Sequence, residues 1–122
     1  MPKILLIEDE GIIINLLQKK LEKEGYDVFV ARDGEEGLRM IKEIWPDLIL
    51  LDIAMPKMSG FNVMEEINKS PTLKRIPIIA MFDSRDSFDL KRAQELGAKD
   101  LIVKSEFDLP GIINKVISQI GR

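Results

Sequence analysis

Short apolar runs alternate along the chain with longer segments in which apolar residues recur at helical spacing. In the first longer segment, Ile13, Leu17 and Leu21 stand four residues apart, which places them on one face of a helix. The runs that indicate strands are Lys3–Ile7, Asp27–Ala31, Leu48–Leu51, Pro77–Met81 and Leu101–Val103. The pattern therefore predicts five strand–helix units in succession.

Glycine and proline residues mark the limits of the predicted helices. The first helix ends near Gly25, and the second begins after Asp33-Gly34 and ends before Pro46. The third ends before Pro71, and the fourth ends at Gly97. The apolar residues that mark the last three helices are Val63, Met64 and Ile67; Phe88, Ala93 and Leu96; and Leu109, Ile112, Ile113, Val116, Ile117 and Ile120.

The alternation of strands and helices predicts an α/β fold with a parallel sheet and helices on both of its faces. Uninterrupted apolar strands agree with this fold, because the strands of a parallel sheet are covered on both sides. With right-handed crossovers, the five units are expected to form a flavodoxin-like (βα)5 three-layer sandwich with strand order 2-1-3-4-5. The length of 122 residues fits a single domain over residues 1–122.

Charged residues follow the first, third and fifth predicted strands. Glu8-Asp9 follows the first, Asp52 the third and Lys104 the fifth. In a sheet of this order, ligands bind beyond the carboxyl ends of the strands, where strands 1 and 3 meet. We therefore expect Asp9, Asp52 and Glu8 to converge, with Lys104 nearby. Asp52 itself is predicted to lie at the lip of the sheet, just outside the buried strand.

The composition narrows the chemistry that this edge can perform. The chain has no Cys and no His, which excludes disulfides, thiolate or imidazole metal sites, and catalysis by Ser-His-Asp or Cys-His groups. A net charge of −3 without a basic block does not predict a nucleic-acid partner. No apolar stretch is long enough to span a membrane, and the N-terminus is not typical of a signal peptide. We expect a soluble cytoplasmic protein without direct contacts to nucleic acid or membrane.

Carboxylates gathered at one edge need a counter-charge. Two of them about 4 Å apart repel by about 1–4 kcal/mol, so that one takes up a proton or a cation holds them together. Oxygen ligands alone favour a hard cation, and Mg²⁺ is the first choice. The ammonium of Lys104 suits a phosphate oxygen. With both in place, Asp52 can act as a nucleophile toward a phosphoryl group.

Four motifs in this order resemble the receiver domains of two-component response regulators, of the chemotaxis-regulator type. They are Glu8-Asp9 after the first strand, Asp33-Gly34 before the second helix, "LLDIAMPKMSG" around Asp52, and "GAKDLIVK" up to Lys104. The resemblance covers essentially the whole chain. It implies that a sensor histidine kinase or a phosphotransfer protein donates a phosphoryl group to Asp52, in a regulatory role rather than as an enzyme acting on a substrate.

The same resemblance implies a Mg²⁺ site and a partner surface. Asp9 and Asp52 would be direct ligands, the backbone carbonyl of Ala54 would be a third, and Glu8 would act through water. Lys104 would assist the reaction of Asp52. A downstream protein target would bind the face formed by helix 4, strand 5 and helix 5.

Three positions depart from the pattern of this family. Phe82 stands where the fourth strand normally ends on a Thr or Ser, whose hydroxyl bonds a phosphoryl oxygen. Leu101 replaces the aromatic residue of the fifth strand, and Ser105 replaces the proline after Lys104, so the peptide between them is expected to be trans. Asp83 brings further negative charge toward the site. We expect metal binding to be retained, phosphorylation to be impaired, and the usual coupling of hydroxyl and aromatic residue to be lost.

Two other functions compete with phosphoryl acceptance. A pseudo-receiver would use the same fold as a protein-interaction module without phosphorylation, which Phe82, Leu101 and Ser105 favour. An enzyme or cofactor binder of the same fold is disfavoured. The loop "EDEG" after the first strand would repel phosphate, and no P-loop is present.

Several of these residues also have a purely structural interpretation. Asp52 could form a turn, Lys104 could be a solvated surface residue, and Phe82 could fill space in the core. Glu8-Asp9-Glu10 could simply cap the first helix, because acids favour a helix N-terminus, and for Asp9 this role is compatible with binding the cation.

Overall fold

Five parallel strands form one central sheet in the computed structural model, which describes residues 1–122. The strands are β1 (Lys3–Ile7), β2 (Asp27–Ala31), β3 (Leu48–Asp52), β4 (Ile78–Phe82) and β5 (Asp100–Val103). The helices are α1 (Gly11–Lys23), α2 (Gly34–Ile44), α3 (Gly60–Asn68), α4 (Ser87–Glu95) and α5 (Leu109–Ile120). Short 3₁₀ turns lie at Leu73–Arg75 and Lys104–Glu106. None of the helices combines the length and the apolar character that crossing a bilayer requires.

The strand order is β2-β1-β3-β4-β5, and every neighbouring pair is parallel. This order confirms the predicted flavodoxin-like (βα)5 arrangement. The direction of the winding reverses at β1, because β2 lies on one side of it and the remaining strands lie on the other. The carboxyl ends of β1 and β3 therefore flank a crevice, which is where sheets of this kind bind ligands.

The limits of β1 and β2 agree with the prediction. β3 and β5 each differ from it by one residue at one end, and β4 is shifted by one residue at both ends. β3 continues through Asp52, so the prediction that this residue lies just outside the buried strand is wrong. Asp52 pairs with Met81 of β4, and the amide of Ile53 donates to the Met81 carbonyl at 2.9 Å. Pairing with β4 thus extends the strand beyond its last apolar residue.

Alternate residues of each strand point to opposite faces of the sheet and build two apolar cores. Helices α2, α3 and α4 cover one core, and α1 and α5 cover the other. On β3, Ile49 and Leu51 belong to the first core, while Leu48 and Leu50 belong to the second. Both faces of β3 are therefore buried, as its uninterrupted apolar run predicts.

Helix α4 contacts the core least of the five helices. Ala93 is its only buried residue, and Phe88 leaves 75% of its surface exposed. The use of Phe88 to mark the apolar face of this helix is therefore wrong, because five residues turn a helix by about 140° between Phe88 and Ala93. Asp86 fixes the start of the helix, since its side chain accepts the amides of Phe88 and Asp89 at 3.0 and 3.1 Å.

The loop between β3 and α3 folds back tightly against the end of β3. The amide of Gly60 donates to the carbonyl of Ile53 at 2.9 Å. A Cβ atom at Gly60 would lie 2.6 Å from the carbonyl oxygen of Asp52 and 2.7 Å from the Cα atom of Ile53. Only glycine therefore fits between the start of α3 and the backbone that carries Asp52.

We predict that Gly60→Ala lowers the free energy of unfolding by about 1–3 kcal/mol, because the added methyl group must displace backbone atoms. Gly11→Ala is the matched control, since a Cβ atom there meets nothing within 4 Å and alanine favours a helix. Urea denaturation followed by circular dichroism measures both variants. An unchanged denaturation midpoint for Gly60→Ala would contradict the close approach.

Candidate functional site

The ends of β1, β3 and β5 bring three acids and a lysine together. Glu8 and Asp9 follow β1, Asp52 is the last residue of β3, and Lys104 follows β5. One carboxylate oxygen from each of the three acids lies within 4.8 Å of the other two. Residues from distant parts of the sequence thus meet at the carboxyl edge of the sheet, beside the point where the winding reverses.

Glu8 and Asp52 are completely buried, whereas Asp9 lies at the exposed lip of the site. Glu8 Oε2 accepts the backbone amides of Asp9 at 3.0 Å and of Glu10 at 3.1 Å. Asp52 Oδ1 accepts the amide of Ala54 at 3.1 Å. The local backbone therefore binds one oxygen of each buried acid and leaves the other oxygen facing the pocket.

Lys104 is the cation that the two remaining oxygens share. Its Nζ atom lies 2.7 Å from Glu8 Oε1 and 3.1 Å from Asp52 Oδ2, and its side chain is only 8% exposed. Neither of these buried oxygens has any other partner, so Lys104 alone compensates both of them. The interpretation of Lys104 as a solvated surface residue is therefore wrong.

Two exposed carboxylates complete the surroundings of Lys104. Glu10 Oε1 lies 3.2 Å from Nζ and Asp83 Oδ1 lies 3.7 Å from it. The contact of Asp83 agrees with the expectation that it brings negative charge toward the site. The contact of Glu10 with Lys104 was not expected from the sequence. Its place beside the acid pair, at the start of the first helix, is the signal that could have found it.

The acids before α1 do not cap this helix in the predicted way. Glu10, not Asp9, is the N-cap residue, and its side chain makes no capping hydrogen bond. Its carboxylate turns instead to Lys104. Of the three acids that could cap α1, Glu10 alone stands at the capping position, and its side chain forms no capping hydrogen bond. Asp9 does not cap the helix, because the helix begins one residue later than that role requires.

Asp52 and Lys104 both have shifted pKa values. Burial and the neighbouring carboxylate of Glu8 raise the pKa of Asp52 to about 7, although the ammonium of Lys104 acts in the opposite direction. Burial lowers the pKa of Lys104, but its contacts with Glu8 and Asp52 outweigh burial and leave this pKa above its usual range. Lys104 is therefore charged at neutral pH, and Asp52 readily takes up a proton.

The donor atoms of the pocket fit a hard divalent cation. They are carboxylate oxygens within 4.8 Å of one another, and the two buried ones that face the pocket have no partner except Lys104. Mg²⁺ prefers such ligands and retains several waters, for which the exposed side of Asp9 leaves room. Ala54, the source of the expected carbonyl ligand, lies in the same loop, two residues after Asp52.

The three positions expected to depart from the family pattern lie at the end of β4, on β5 and in the turn after β5. Phe82 ends β4, is 4% exposed and lines, with Ser84, a cavity of about 220 Å³ beside the site. Leu101 is half-buried and packs against the same core as Phe82. Ser105 is exposed, and the peptide that joins it to Lys104 is trans, as expected. No hydroxyl group therefore stands at the end of β4.

Residues 4–117 match a family model, that of the response regulator receiver domain. The chain belongs to this family. Among curated relatives of this receiver domain, the alkaline phosphatase synthesis transcriptional regulatory protein PhoP of Bacillus subtilis (strain 168) is 40% identical over 102 residues. The match covers 84% of this chain and 42% of PhoP. The chain spans about half the length of the curated relatives it matches.

Solved receiver structures share the fold closely. The chemotaxis protein CheY4 of Vibrio cholerae superimposes with a TM-score of 0.91 at 25% identity, over 98% of this chain and 99% of CheY4. The receiver domain of the sensor histidine kinase PA1611 of Pseudomonas aeruginosa PAO1 has a TM-score of 0.88 at 26% identity, over 99% and 98% of the two chains. That structure holds a magnesium ion in its active-site cleft.

We predict that ionisation of Asp52 destabilises the fold as pH rises. Between its ordinary pKa of 3.8 and about 7, the folded chain holds a proton that the unfolded chain has released, so the free energy of unfolding falls across this window. Asp52→Asn removes this dependence. We expect the free energy of unfolding of Asp52→Asn in EDTA to exceed that of the wild type, and this difference should be about 2 kcal/mol larger at pH 8 than at pH 5.

Urea denaturation at the two pH values measures this difference. Glu22→Gln, at an exposed position of α1, serves as the control and is expected to change stability equally at both. If the free energies of unfolding of Asp52→Asn and the wild type differed by the same amount at pH 5 and pH 8, the raised pKa of Asp52 would be refuted.

Proposed function

We propose that this receiver domain accepts a phosphoryl group on Asp52 from the phosphohistidine of a sensor histidine kinase or a phosphotransfer protein, in a Mg²⁺-dependent reaction. The observation that carries the proposal is the buried carboxylate of Asp52, 3.1 Å from Lys104 and beside Glu8 and Asp9. Family membership supports it, as does the magnesium ion in the cleft of the PA1611 receiver domain. The role is regulatory, since the modified carboxylate is itself the signal.

In the proposed step, a carboxylate oxygen of Asp52 attacks the phosphorus atom of the phosphohistidine. The O–P bond forms while the P–N bond breaks, and the leaving imidazole keeps the electron pair and takes a proton from water. The ammonium of Lys104 is well placed to bind a transferring phosphoryl oxygen, because it already lies 3.1 Å from Asp52 Oδ2. The amide of Ala54 orients the attacking carboxylate through Oδ1.

Four residues would hold the cation in this proposal. Asp9, Asp52 and the backbone carbonyl of Ala54 would bind it directly, and Glu8 would act through water. A bound Mg²⁺ neutralises charge on the phosphoryl oxygens. Asp52 reacts as the ionised carboxylate, so the proton that its raised pKa retains must leave before the attack.

The second candidate function is a pseudo-receiver that binds proteins without phosphorylation. The observation that favours it is Phe82, a buried ring at the end of β4 that has no hydroxyl to donate to a phosphoryl oxygen. Leu101 and Ser105 likewise replace the aromatic residue and the proline of the family pattern. For the first candidate function, the same residues lead us to infer that Asp52 is phosphorylated slowly. The usual coupling between a hydroxyl and an aromatic residue would then be absent.

For the output, we propose that a downstream protein binds the face of α4, β5 and α5. A groove of about 400 Å³ lies along these elements, lined among others by Leu90, Leu101 and Lys115. PhoP is a transcriptional regulator, but this chain covers only 42% of its length. We therefore propose for this chain the binding of a downstream protein and not the regulation of transcription. The net charge of −3 supports output through protein contacts rather than through direct binding of nucleic acid.

We predict that incubation with Mg²⁺ and acetyl phosphate adds one phosphoryl group to Asp52. Intact mass spectrometry measures the gain, which is expected to be stable in acid and labile in base, and peptide mapping locates it. EDTA and Asp52→Asn should each abolish it, because they remove the cation and the nucleophile. Glu22→Gln should react as the wild type does. If Mg²⁺ binds but no mass is gained, the pseudo-receiver function stands in place of this one.

We further predict that Phe82→Thr speeds phosphorylation about tenfold relative to Phe82→Val, because a hydroxyl at this strand end can donate to the charged phosphoryl group. Threonine and valine have nearly the same shape, so the comparison isolates the hydroxyl. Both variants are expected to lose about 2–4 kcal/mol of stability from the cavity that the ring leaves. Equal rates of mass gain in the two variants would show that the absence of the hydroxyl does not limit the reaction.

A further inference from the structure

Lys104 has two kinds of carboxylate partner. The buried pair, Glu8 and Asp52, lies 2.7 and 3.1 Å from its Nζ atom. The rim pair, Glu10 and Asp83, lies 3.2 and 3.7 Å from the same atom and is 55% and 63% exposed. One ammonium thus stands between two buried acids and two acids at the mouth of the site.

A divalent cation and this ammonium compete for the same acids. In the absence of a divalent cation, Lys104 neutralises the buried pair, whose pocket-facing oxygens have no other partner. A cation that binds Asp52 meets a positive charge 3.1 Å from Asp52 Oδ2 and is repelled by it. Cation binding is therefore easier if the ammonium can weaken its contact with the buried pair without losing all of its partners.

We propose that Glu10 and Asp83 are positioning residues that hold the ammonium of Lys104 when a divalent cation occupies the buried pair. Because the rim pair already contacts Nζ, the ammonium needs to move very little. The inference rests on the Mg²⁺ site proposed above. According to this inference, the rim pair stabilises the cation-bound state more than the cation-free state. A difference of this kind raises the affinity of the site for the cation.

The other acids near Lys104 already have a partner or a different expected role, so only the rim pair can hold the ammonium in this way. Glu106 stands two residues after Lys104 in the same turn, but Arg85 binds its carboxylate through two contacts, of 2.6 and 2.9 Å. Asp9, the third acid of the site, is an expected ligand of the cation. The rim pair comes from two different parts of the chain, since Glu10 directly precedes α1 and Asp83 directly follows β4, so the ammonium is held from two sides.

The rim pair could also raise the affinity simply by attracting the cation, and a double-mutant cycle separates the two effects. Isothermal titration calorimetry with Mg²⁺ alone would compare the wild type, Glu10→Gln/Asp83→Asn, Lys104→Met, and the triple variant. With Lys104 present, we expect the rim substitutions to weaken Mg²⁺ binding by about threefold to tenfold. With Lys104→Met, we expect a loss of less than about twofold, because no ammonium remains to be held.

Asp89→Asn is the matched control, because Asp89 lines the cavity beside Asp83 but makes no contact with Lys104. It is expected to leave the affinity unchanged. An equal loss from the rim substitutions in both Lys104 backgrounds would mean direct attraction of the cation, and would overturn the inference.

A second measurement does not depend on Lys104→Met remaining folded. In the spectrum of ¹³C-labelled lysine, the signal of Lys104 is the one that Lys104→Arg lacks. With saturating Mg²⁺, this signal is expected to stay apart from those of the surface lysines in the wild type and to merge with them in Glu10→Gln/Asp83→Asn. A signal that stays apart in this variant would overturn the inference.

The outcomes also distinguish this inference from the proposed function. If the wild type does not bind Mg²⁺, the proposed function fails, and the role of the rim pair fails with it. If the wild type binds Mg²⁺ and becomes phosphorylated on Asp52, but the rim substitutions act equally with and without Lys104, only the role of the rim pair is refuted.

Discussion

The shared ion pair of Glu8, Lys104 and Asp52 is the interaction on which the functional edge of the sheet depends. Two carboxylates that are wholly removed from water face a single ammonium at 2.7 and 3.1 Å. Burial of a charge costs several kcal/mol, and loss of one partner leaves the others uncompensated. The contact also joins β1, β3 and the turn after β5, so the arrangement of the strands and the charge balance of the pocket require each other.

This balance is incomplete, and the shortfall links stability to function. The pocket and its lip hold three acids against one ammonium, and the exposed rim adds two more acids. Burial, and after it the carboxylate of Glu8, raise the pKa of Asp52, so that a proton can substitute for a missing cation. A site that retained no excess negative charge would be more stable but would have no need of a divalent cation. The excess negative charge therefore destabilises the fold at the place where a bound cation would compensate it.

The sheet order and the acids at its edge could be predicted from the sequence. Both follow from the periodicity of apolar residues and from the order of the segments along the chain. Apolar runs and helical spacing are local signals, and the place of Glu8, Asp52 and Lys104 after successive strands then follows from topology. What it did not predict depends on contacts between elements. Asp52 is buried within β3 because β4 pairs beside it, and Glu10 reaches Lys104 across the site. Neither contact leaves a periodic trace.

At the two positions where the family pattern leads one to expect a hydroxyl and an aromatic residue, this chain has Phe82 and Leu101. Phe82 and Leu101 pack within one apolar core, which offers no polar group that a phosphoryl group could draw inward. The polar links between the loop after β4 and the turn after β5 are ion pairs instead, Lys104 with Asp83 and Arg85 with Glu106. Exposed ion pairs contribute little individually, but a bidentate pair fixes geometry as well as charge. Arg85 and Glu106 also line the groove on that face. The ion pairs that join the loop after β4 to the turn after β5 therefore lie along the surface, from the site to the groove.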